Sequence, residues 1–300
     1  MTGQRPSCVD FENGFLYITS QMFVVLRRSS LMQLSFLDRS RLVAQRLRLH
    51  GAARALYNAV RYAGAIREIQ LEGIACRFSV TSGTLAEHVE GFCGEKDLLI
   101  DFIHHLNRRD VVWDVGASFG MYSIVAGCRL GAEGRVVAFE PEPVMRLLLE
   151  GNIHLNKLDN VTALPYALID LEGETTLYPP DNPNVGTGAL VQRQDYRLRR
   201  KGMKIQGRRA DVLVAAGEVP PPTVLKIDVE GAERRVLDGF GVLLKAPSLR
   251  AVYCEVHPKL LPLFGHSVKA VEETLTQSGF HIASNTERGT ERHIICLREI

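Results

Sequence analysis

The stretch from Val111 to Gly120 constrains the fold most, because an apolar run reaches an acid and then a turn that contains glycine. It reads Val-Val-Trp-Asp-Val-Gly-Ala-Ser-Phe-Gly. An amphipathic segment follows, and a second apolar run, Val136-Val-Ala-Phe-Glu140, ends on another acid. This order is typical of a strand–turn–helix–strand unit that holds a nucleoside at the carboxyl edge of a parallel sheet. It predicts an α/β fold.

Strand and helix patterns alternate over the rest of residues 108–300. Apolar runs predict strands near 111–115, 135–140, 161–165, 223–229 and 250–256. Periodic segments predict helices at Met121 to Leu130, Glu142 to Asn156, Ala232 to Leu244 and Val268 to Ser278. A closing hairpin is expected from 280–284 and 292–297 across a polar turn. The pattern predicts a Rossmann-like, doubly wound, mostly parallel seven-stranded sheet with a C-terminal antiparallel hairpin.

Three segments are expected along the 300 residues. Residues 1–66 are predicted to be a helical N-terminal extension, since leucines recur at loosely helical spacing with arginines between them. Capping of the core, formation of a homodimer and contact with a membrane surface all stay open for it. Residues 67–107 are predicted to be a hairpin-helix entry module, and 108–300 the cofactor-binding domain. Within the latter, the proline- and glycine-containing segment 178–209 is expected to be an irregular insert that shapes a pocket.

Composition excludes several classes of protein. The net charge of +2 argues neither for nor against a nucleic-acid partner. The basic segment 193–209 contains a single aromatic residue, Tyr196, for base stacking, so no nucleic-acid partner is expected. Six scattered cysteines without a Cys-x-x-Cys pair argue against a zinc site and for buried thiols in the cytoplasm. No apolar run approaches the roughly 18–20 residues of a transmembrane segment.

The glycine spacing of the first turn indicates which nucleoside it suits. Asp114, Gly116 and Gly120 form Asp-x-Gly-x-x-x-Gly, whereas a dinucleotide fingerprint requires glycine at 118 and 121. An acid at the turn suits a cationic ligand better than a phosphate. S-adenosylmethionine has a sulfonium and no phosphate, so Asp114 is expected near its methionine part and Glu140 at its ribose hydroxyls. The alternative is a plain turn whose acids cap helices.

Two later predicted strands contain charged residues, which are unusual in a buried strand. Lys226 and Asp228 alternate onto one face of the fourth predicted strand, where unpaired charges would be costly. Glu255 and His257 share a face of the next one, and they would meet Asp228 at the carboxyl edge if the two strands are neighbours. His257 has the intrinsic pKa of a general base. A buried ion pair and a structural histidine remain the alternatives.

Further acids follow the fourth predicted strand, at the start of the next helix. Glu233 is expected to cap that helix, because acids suit a helix N-terminus. A metal held by Asp228, Glu230 or Glu255 with His257 is chemically feasible, but the spacing does not require it, so no metal ligand is assigned.

The chain resembles the FkbM-type methyltransferases, within the Rossmann-like class that uses S-adenosylmethionine. The most specific block is Leu225-Lys-Ile-Asp-Val-Glu-Gly-Ala-Glu233, and the resemblance spans about 108–280. The other blocks, in chain order, are Asp-Val-Gly-Ala at 114–117, Phe-Glu-Pro at 139–141, Gly151-Asn-Ile-His-Leu-Asn156, Ala167 to Asp170 and Glu255-Val-His257. Ser118-Phe119 departs from the pattern of relatives, which commonly carry Asn and a small or aliphatic residue at these two positions.

The resemblance implies methyl transfer to a hydroxyl of a sugar, glycolipid or natural product. A small-molecule or glycan acceptor is therefore expected, with S-adenosylmethionine as cofactor and Asp228 near the transferred methyl. The hypothesis makes Asp228 or His257 the base, oriented by Lys226 and Glu255. The expected cofactor-binding residues are Asp114, Gly116, Ser118, Gly120, Glu140 and Ala167. An NAD-dependent oxidoreductase and a non-catalytic subunit that binds S-adenosylmethionine are the alternatives.

Overall fold

The structure is a computed structural model that describes residues 57–58, 60–178, 190 and 202–299. Residues Arg61–Ile300 form one compact unit. Nearly all of the expected helical extension, whose role the sequence leaves open between core capping, a homodimer and membrane contact, and most of the 178–209 insert lie outside the described residues. The strands of the described part are β1 (Ile66–Leu71), β2 (Ile74–Ser79), β3 (Val111–Val115), β4 (Arg135–Phe139), β5 (Val161–Leu164), β6 (Tyr166–Leu168), β7 (Gly173–Leu177), β8 (Met203–Arg208), β9 (Val224–Ile227), β10 (Ala251–Val256), β11 (His281–Arg288) and β12 (Glu291–Leu297). Its α-helices are α1 (Gly83–Glu90), α2 (Lys96–His105), α3 (Met121–Leu130), α4 (Pro143–Leu155), α5 (Ala210–Ala215), α6 (Glu233–Phe240) and α7 (Val268–Gln277).

A seven-stranded sheet organises the unit in the order β11-β12-β10-β9-β3-β4-β5. The five strands from β10 to β5 are parallel, and β12 pairs antiparallel with both β10 and β11. This confirms the predicted Rossmann-like sheet and its C-terminal hairpin. The chain winds from β3 towards β5 on one side and later from β9 towards β10 on the other. The carboxyl ends of β3 and β9 therefore flank the point where the winding reverses, which is where open α/β sheets bind ligands.

The boundaries of the main elements follow the sequence pattern closely. β3 and α3 begin and end at the predicted residues, and the other predicted strands and helices of the sheet domain are present. The helix expected over Ala232 to Leu244 is shorter, because Gly241 adopts a positive φ of 51° and a 3₁₀ turn follows. The closing hairpin is longer than predicted, since pairing continues to Arg288 opposite Glu291.

Several elements were not predicted. Residues Gly83–Glu90 form α1, capped by the Ser82 hydroxyl, so the predicted hairpin-helix module contains one more helix than expected. A separate three-stranded sheet, β6-β8-β7, incorporates the end of the 178–209 segment. These strands are short, and their partners are distant in sequence, so local patterns carry little signal for them.

Buried side chains cover both faces of the large sheet. On one face, the β1–β2 hairpin with α1 and α2 packs with α3 around Phe78, Phe102 and Ile124. On the other face, α5, α6 and α7 pack against Trp113 and Phe139, and the Trp113 ring contacts the rings of Phe139 and of Phe240 on α6. No α-helix within the described residues is long and apolar enough to cross a bilayer.

Candidate active site

A cavity of about 240 Å³ opens at the carboxyl edge of the sheet. The turn after β3, the end of β4 and residues of β6 line one end, which includes Glu140 and Ala167. The other end is lined by charged residues that follow β9 and lie on β10, which include Asp228 and Glu255. The cavity thus joins the two groups of residues that the sequence singled out.

The turn after β3 is held by backbone geometry. The N–H groups of Gly116 and Ala117 both donate to the carbonyl of Phe139. Gly116 has φ of 80°, and a Cβ atom there would lie 1.8 Å from the carbonyl oxygen of Asp228. Glycine is therefore required at 116 both by conformation and by the close approach of the strand-end backbones.

Glu140 ends β4 with its carboxylate held in the turn. Its Oε2 accepts the N–H of Ser118 at 2.7 Å and its Oε1 accepts that of Glu142 at 2.8 Å. Burial raises the pKa of Glu140 to about 7, although the two backbone donors lower it. A buried carboxylate with remaining lone pairs towards the cavity can accept hydrogen bonds from a ligand's hydroxyl groups.

The other residues expected at the cofactor lie at different depths. Ser118 lines the cavity with φ of 51°, and Ala167 on β6 lines it from the opposite side. Gly120 begins α3 with φ of 97°, beside the Leu149 side chain. Asp114 is 1% exposed and contacts Ser123 and Lys226, so its carboxylate lies beneath the turn and not among the lining residues. Its position makes Asp114 a partner of Lys226.

Lys226 lies between two carboxylates, Asp114 on β3 and Asp228 just after β9. Its Nζ atom lies 3.6 Å from Asp114 Oδ1 and 3.4 Å from Asp228 Oδ2, and 5.0 Å from the centre of the Tyr122 ring. Burial opposes its charge, but Asp228 and then Asp114 raise the pKa of Lys226. Burial by itself would raise the pKa of Asp228, yet Lys226 and then His257 hold it below its usual value. Asp228 is therefore an ionised carboxylate that lines the cavity.

His257 is buried between carboxylates. Its Nδ1 lies 2.7 Å from Glu233 Oε1, and its Nε2 lies 3.7 Å from Glu230 Oε2 and 3.9 Å from Asp228 Oδ1. Burial disfavours the imidazolium, but the bond to Glu233 and the charge of Asp228 outweigh this and raise the pKa of His257 to about 9. The predicted convergence of Asp228, Glu255 and His257 is present, because β9 and β10 are neighbours.

Glu233 lies in the first turn of α6, where the sequence predicted an acid that caps the helix, but it bonds the N–H of Gly231 before the helix and not an N–H of the helix itself. Its Oε1 accepts the N–H of Gly231, which is a local bond near the helix start, and also contacts His257 on another strand. The side chain is fully buried. The local pattern shows only the first contact; the second depends on the neighbouring strand.

A second set of charged side chains surrounds Glu255 and was not predicted. Glu95, just before α2, bonds Tyr122 through Oε2 and Arg288 through Oε1. His293 on β12 has its Nε2 3.4 Å from Glu95 and 3.5 Å from Glu255. Burial, Asp228 and Glu95 together raise the pKa of Glu255 to about 11. These residues come from three separate parts of the chain and share no sequence motif.

Most residues around the cavity fall within a region that matches a known protein family. Residues 114–282 match the family described as the methyltransferase FkbM domain. The chain belongs to the FkbM methyltransferase family. The matched FkbM domain includes both ends of the cavity, from Asp114 to the β10 residues and the start of β11.

The chain is similar in sequence to named methyltransferases. The hexuronic acid methyltransferase AglP of Haloferax volcanii is 32% identical over 203 residues, which are 66% of this chain and 79% of the relative. Methyltransferase sdnD of Sordaria araneosa is 30% identical over 165 residues, 46% of this chain and 62% of its own length, so less than two thirds of sdnD is matched. The solved structure of the methyltransferase FkbM from Methylobacillus flagellatus is 15% identical, with a TM-score of 0.40, over 64% of this chain and 45% of that one.

Proposed function

We propose that this enzyme transfers the methyl group of S-adenosylmethionine to a hydroxyl of a polar, sugar-like acceptor. The observation that carries the proposal is the cavity itself, which has a hydroxyl-accepting carboxylate, Glu140, at one end and an ionised carboxylate, Asp228, at the other. The similarity to the hexuronic acid methyltransferase AglP supports a glycan acceptor.

The donor end suits a nucleoside without a phosphate. In this proposal Glu140 accepts the ribose hydroxyls, the backbone of Gly116 and Ser118 lies along the methionine part, and Ala167 contacts the adenine side. Asp114 acts indirectly, because its carboxylate holds Lys226. When bound, S-adenosylmethionine supplies the electrophilic methyl group.

The chemical step that we propose is an in-line displacement. The acceptor oxygen forms a bond to the methyl carbon while the carbon–sulfur bond breaks and its electron pair remains on sulfur, which becomes a neutral thioether. The hydroxyl proton moves to Asp228. Alignment of the two reactants supplies much of the rate enhancement, and removal of the proton adds about 10²–10⁴-fold.

Asp228 is the better candidate for the base than His257. The carboxylates around His257 raise its pKa to about 9, so at neutral pH the ring already carries its proton. Lys226 and His257 keep Asp228 ionised and fix its orientation. Glu255, whose pKa is raised to about 11, is protonated and acts as a hydrogen-bond donor towards the acceptor or Glu95.

The test is methyl transfer from isotopically labelled S-adenosylmethionine to a panel of uronic acids, neutral sugars and their oligosaccharides. We expect labelled product with uronate-containing or related polar acceptors, and S-adenosylhomocysteine in equal amount. Tight binding of S-adenosylmethionine without turnover on any acceptor would favour the non-catalytic subunit. Binding of NADH in its place would favour the oxidoreductase.

A further inference from the structure

Three potential metal ligands converge at the acceptor end of the cavity. An oxygen of Asp228, an oxygen of Glu255 and a ring nitrogen of His257 all lie within 4.8 Å of one another. Metal–ligand bonds of about 2.1 Å place two ligand atoms roughly 3–4.2 Å apart. The 3.9 Å between His257 Nε2 and Asp228 Oδ1 already lies in that range, so small side-chain rotations bring all three to bonding distance.

His257 has the orientation of a metal-binding histidine. Only 7% of the residue is exposed, and Glu233 Oε1 contacts its Nδ1 at 2.7 Å. A carboxylate at Nδ1 holds one ring proton there, so a cation that displaces the second ring proton finds Nε2 directed between Asp228 and Glu230. The Nε2 atom of this buried ring lies 3.7 Å from Glu230 Oε2 and 3.9 Å from Asp228 Oδ1, so three polar atoms face one another across a short gap.

The surrounding charge favours a cation. Lys226 faces Asp228 through Oδ2, the oxygen opposite the one nearest His257, so its ammonium lies to the side of the three ligands. Arg288 is engaged by Glu95 and the carbonyl of Cys93. Against these two permanent cations, the described residues place six carboxyl groups around the site: Glu95, Asp114, Asp228, Glu230, Glu233 and Glu255. Of these, Glu255 releases its proton when a cation binds.

We propose that Asp228, Glu255 and His257 bind a divalent cation of the Mn²⁺ type, with Glu233 as the residue that positions His257. Two carboxylates and one imidazole form the mixed oxygen–nitrogen ligand set that such ions accept. Three protein ligands leave coordination positions open towards the cavity. If the proposed function holds, hydroxyl oxygens of the acceptor occupy those open positions. The cation then lowers the pKa of the hydroxyl that is methylated. Ion binding itself does not depend on that function.

The test is a titration of the full-length protein with Mn²⁺ alone, followed by the electron paramagnetic resonance signal of the free ion. Neither S-adenosylmethionine nor an acceptor is present. We expect saturable binding of one ion per chain. In His257→Ala and in Asp228→Asn the dissociation constant is expected to rise at least tenfold, as judged on variants whose thermal unfolding matches the wild type. The matched control is His281→Ala, which removes an exposed histidine on β11.

Glu233→Gln separates positioning from ligation. Glutamine keeps an oxygen for the histidine N–H but loses the charge, and changes of this kind weaken metal binding by about 10–100-fold. Absence of saturable binding to the wild type, or equal affinity in the His257 and Asp228 variants, would overturn the proposal. Mn²⁺ binding without methyl transfer to any acceptor would contradict the proposed function and leave the metal site in place.

Discussion

The two ends of the cavity are built in different ways. At the donor end, Glu140 is held by the N–H groups of Ser118 and Glu142, all within one strand–turn–helix–strand unit. At the acceptor end, the residues around Glu255 come from the start of α2, from β9, α6 and β10, and from the hairpin β11–β12. The donor end is therefore formed by residues close in sequence, whereas the acceptor end is formed by segments that are distant in sequence.

The two carboxylates show the electrostatic side of this difference. Burial raises the pKa of Glu140 to about 7, because its partners are neutral backbone groups. Asp228 is held below its usual pKa despite burial, because Lys226 and His257 face it. Neutral donors orient a carboxylate without keeping it fully ionised, whereas cations keep it ionised and available to accept a proton or a metal.

The largest expected effect is at the acceptor end. Asp228→Asn removes the proton acceptor, so we expect kcat to fall by about 10²–10⁴-fold, or roughly 3–5 kcal/mol. Affinity for S-adenosylmethionine should stay within a few-fold of wild type, as measured by calorimetry. Asp159→Asn, at an exposed turn, is the control. Normal turnover of the Asp228 variant would exclude it as the base.

Gly116→Ala tests the close approach between the turn after β3 and the backbone of Asp228. Its Cβ would lie 1.8 Å from Asp228 O in a residue with φ of 80°, so we expect the free energy of unfolding to fall by about 3 kcal/mol. Gly73→Ala is a matched control, because Gly73 has φ of 77° and open space around it. It should lose only about 1 kcal/mol. Equal losses in urea unfolding would show that the close approach contributes nothing.

Glu140→Gln is expected to weaken the binding of the methyl donor and to leave the chemical step nearly unchanged. Hydrogen bonds to a charged group contribute about 1.5–3 kcal/mol, so the dissociation constant of S-adenosylmethionine should rise at least tenfold. The kcat at saturating donor should change much less, in contrast to Asp228→Asn. Glu150→Gln, exposed on α4, provides the comparison. A fall in kcat with unchanged donor affinity would contradict the division between the two ends.

The smallest effect is a pH dependence of donor binding. Since the pKa of Glu140 is about 7, the carboxylate is mostly protonated at pH 6 and mostly ionised at pH 8. The ionised form accepts the ribose hydroxyls better, so affinity should increase roughly tenfold over this range. The Glu140→Gln variant should show a flat profile. A wild-type profile that is equally flat would place the nucleoside elsewhere.

The sequence was sufficient for most of the fold. The bounds of β3 and α3 follow from an apolar run that ends in a glycine turn, and the predicted sheet and its hairpin are present. It was insufficient for α1 and for the β6-β8-β7 sheet, whose short segments are stabilised by packing against distant partners. The predicted division into three domains stays a prediction.

For the site, the sequence determined which residue types meet at the carboxyl edge. Alternation along a strand places Lys226 and Asp228 on one face. By the same rule Glu255 and His257 share a face of the next predicted strand. Only the tertiary structure decided what those residues can do. The contact of Glu233 with His257, the depth of Asp114 beneath Lys226, and the cluster of Glu95 and His293 around Glu255 all join segments far apart in the chain. Charge and pKa depend on distance and burial in three dimensions, which a linear pattern does not contain.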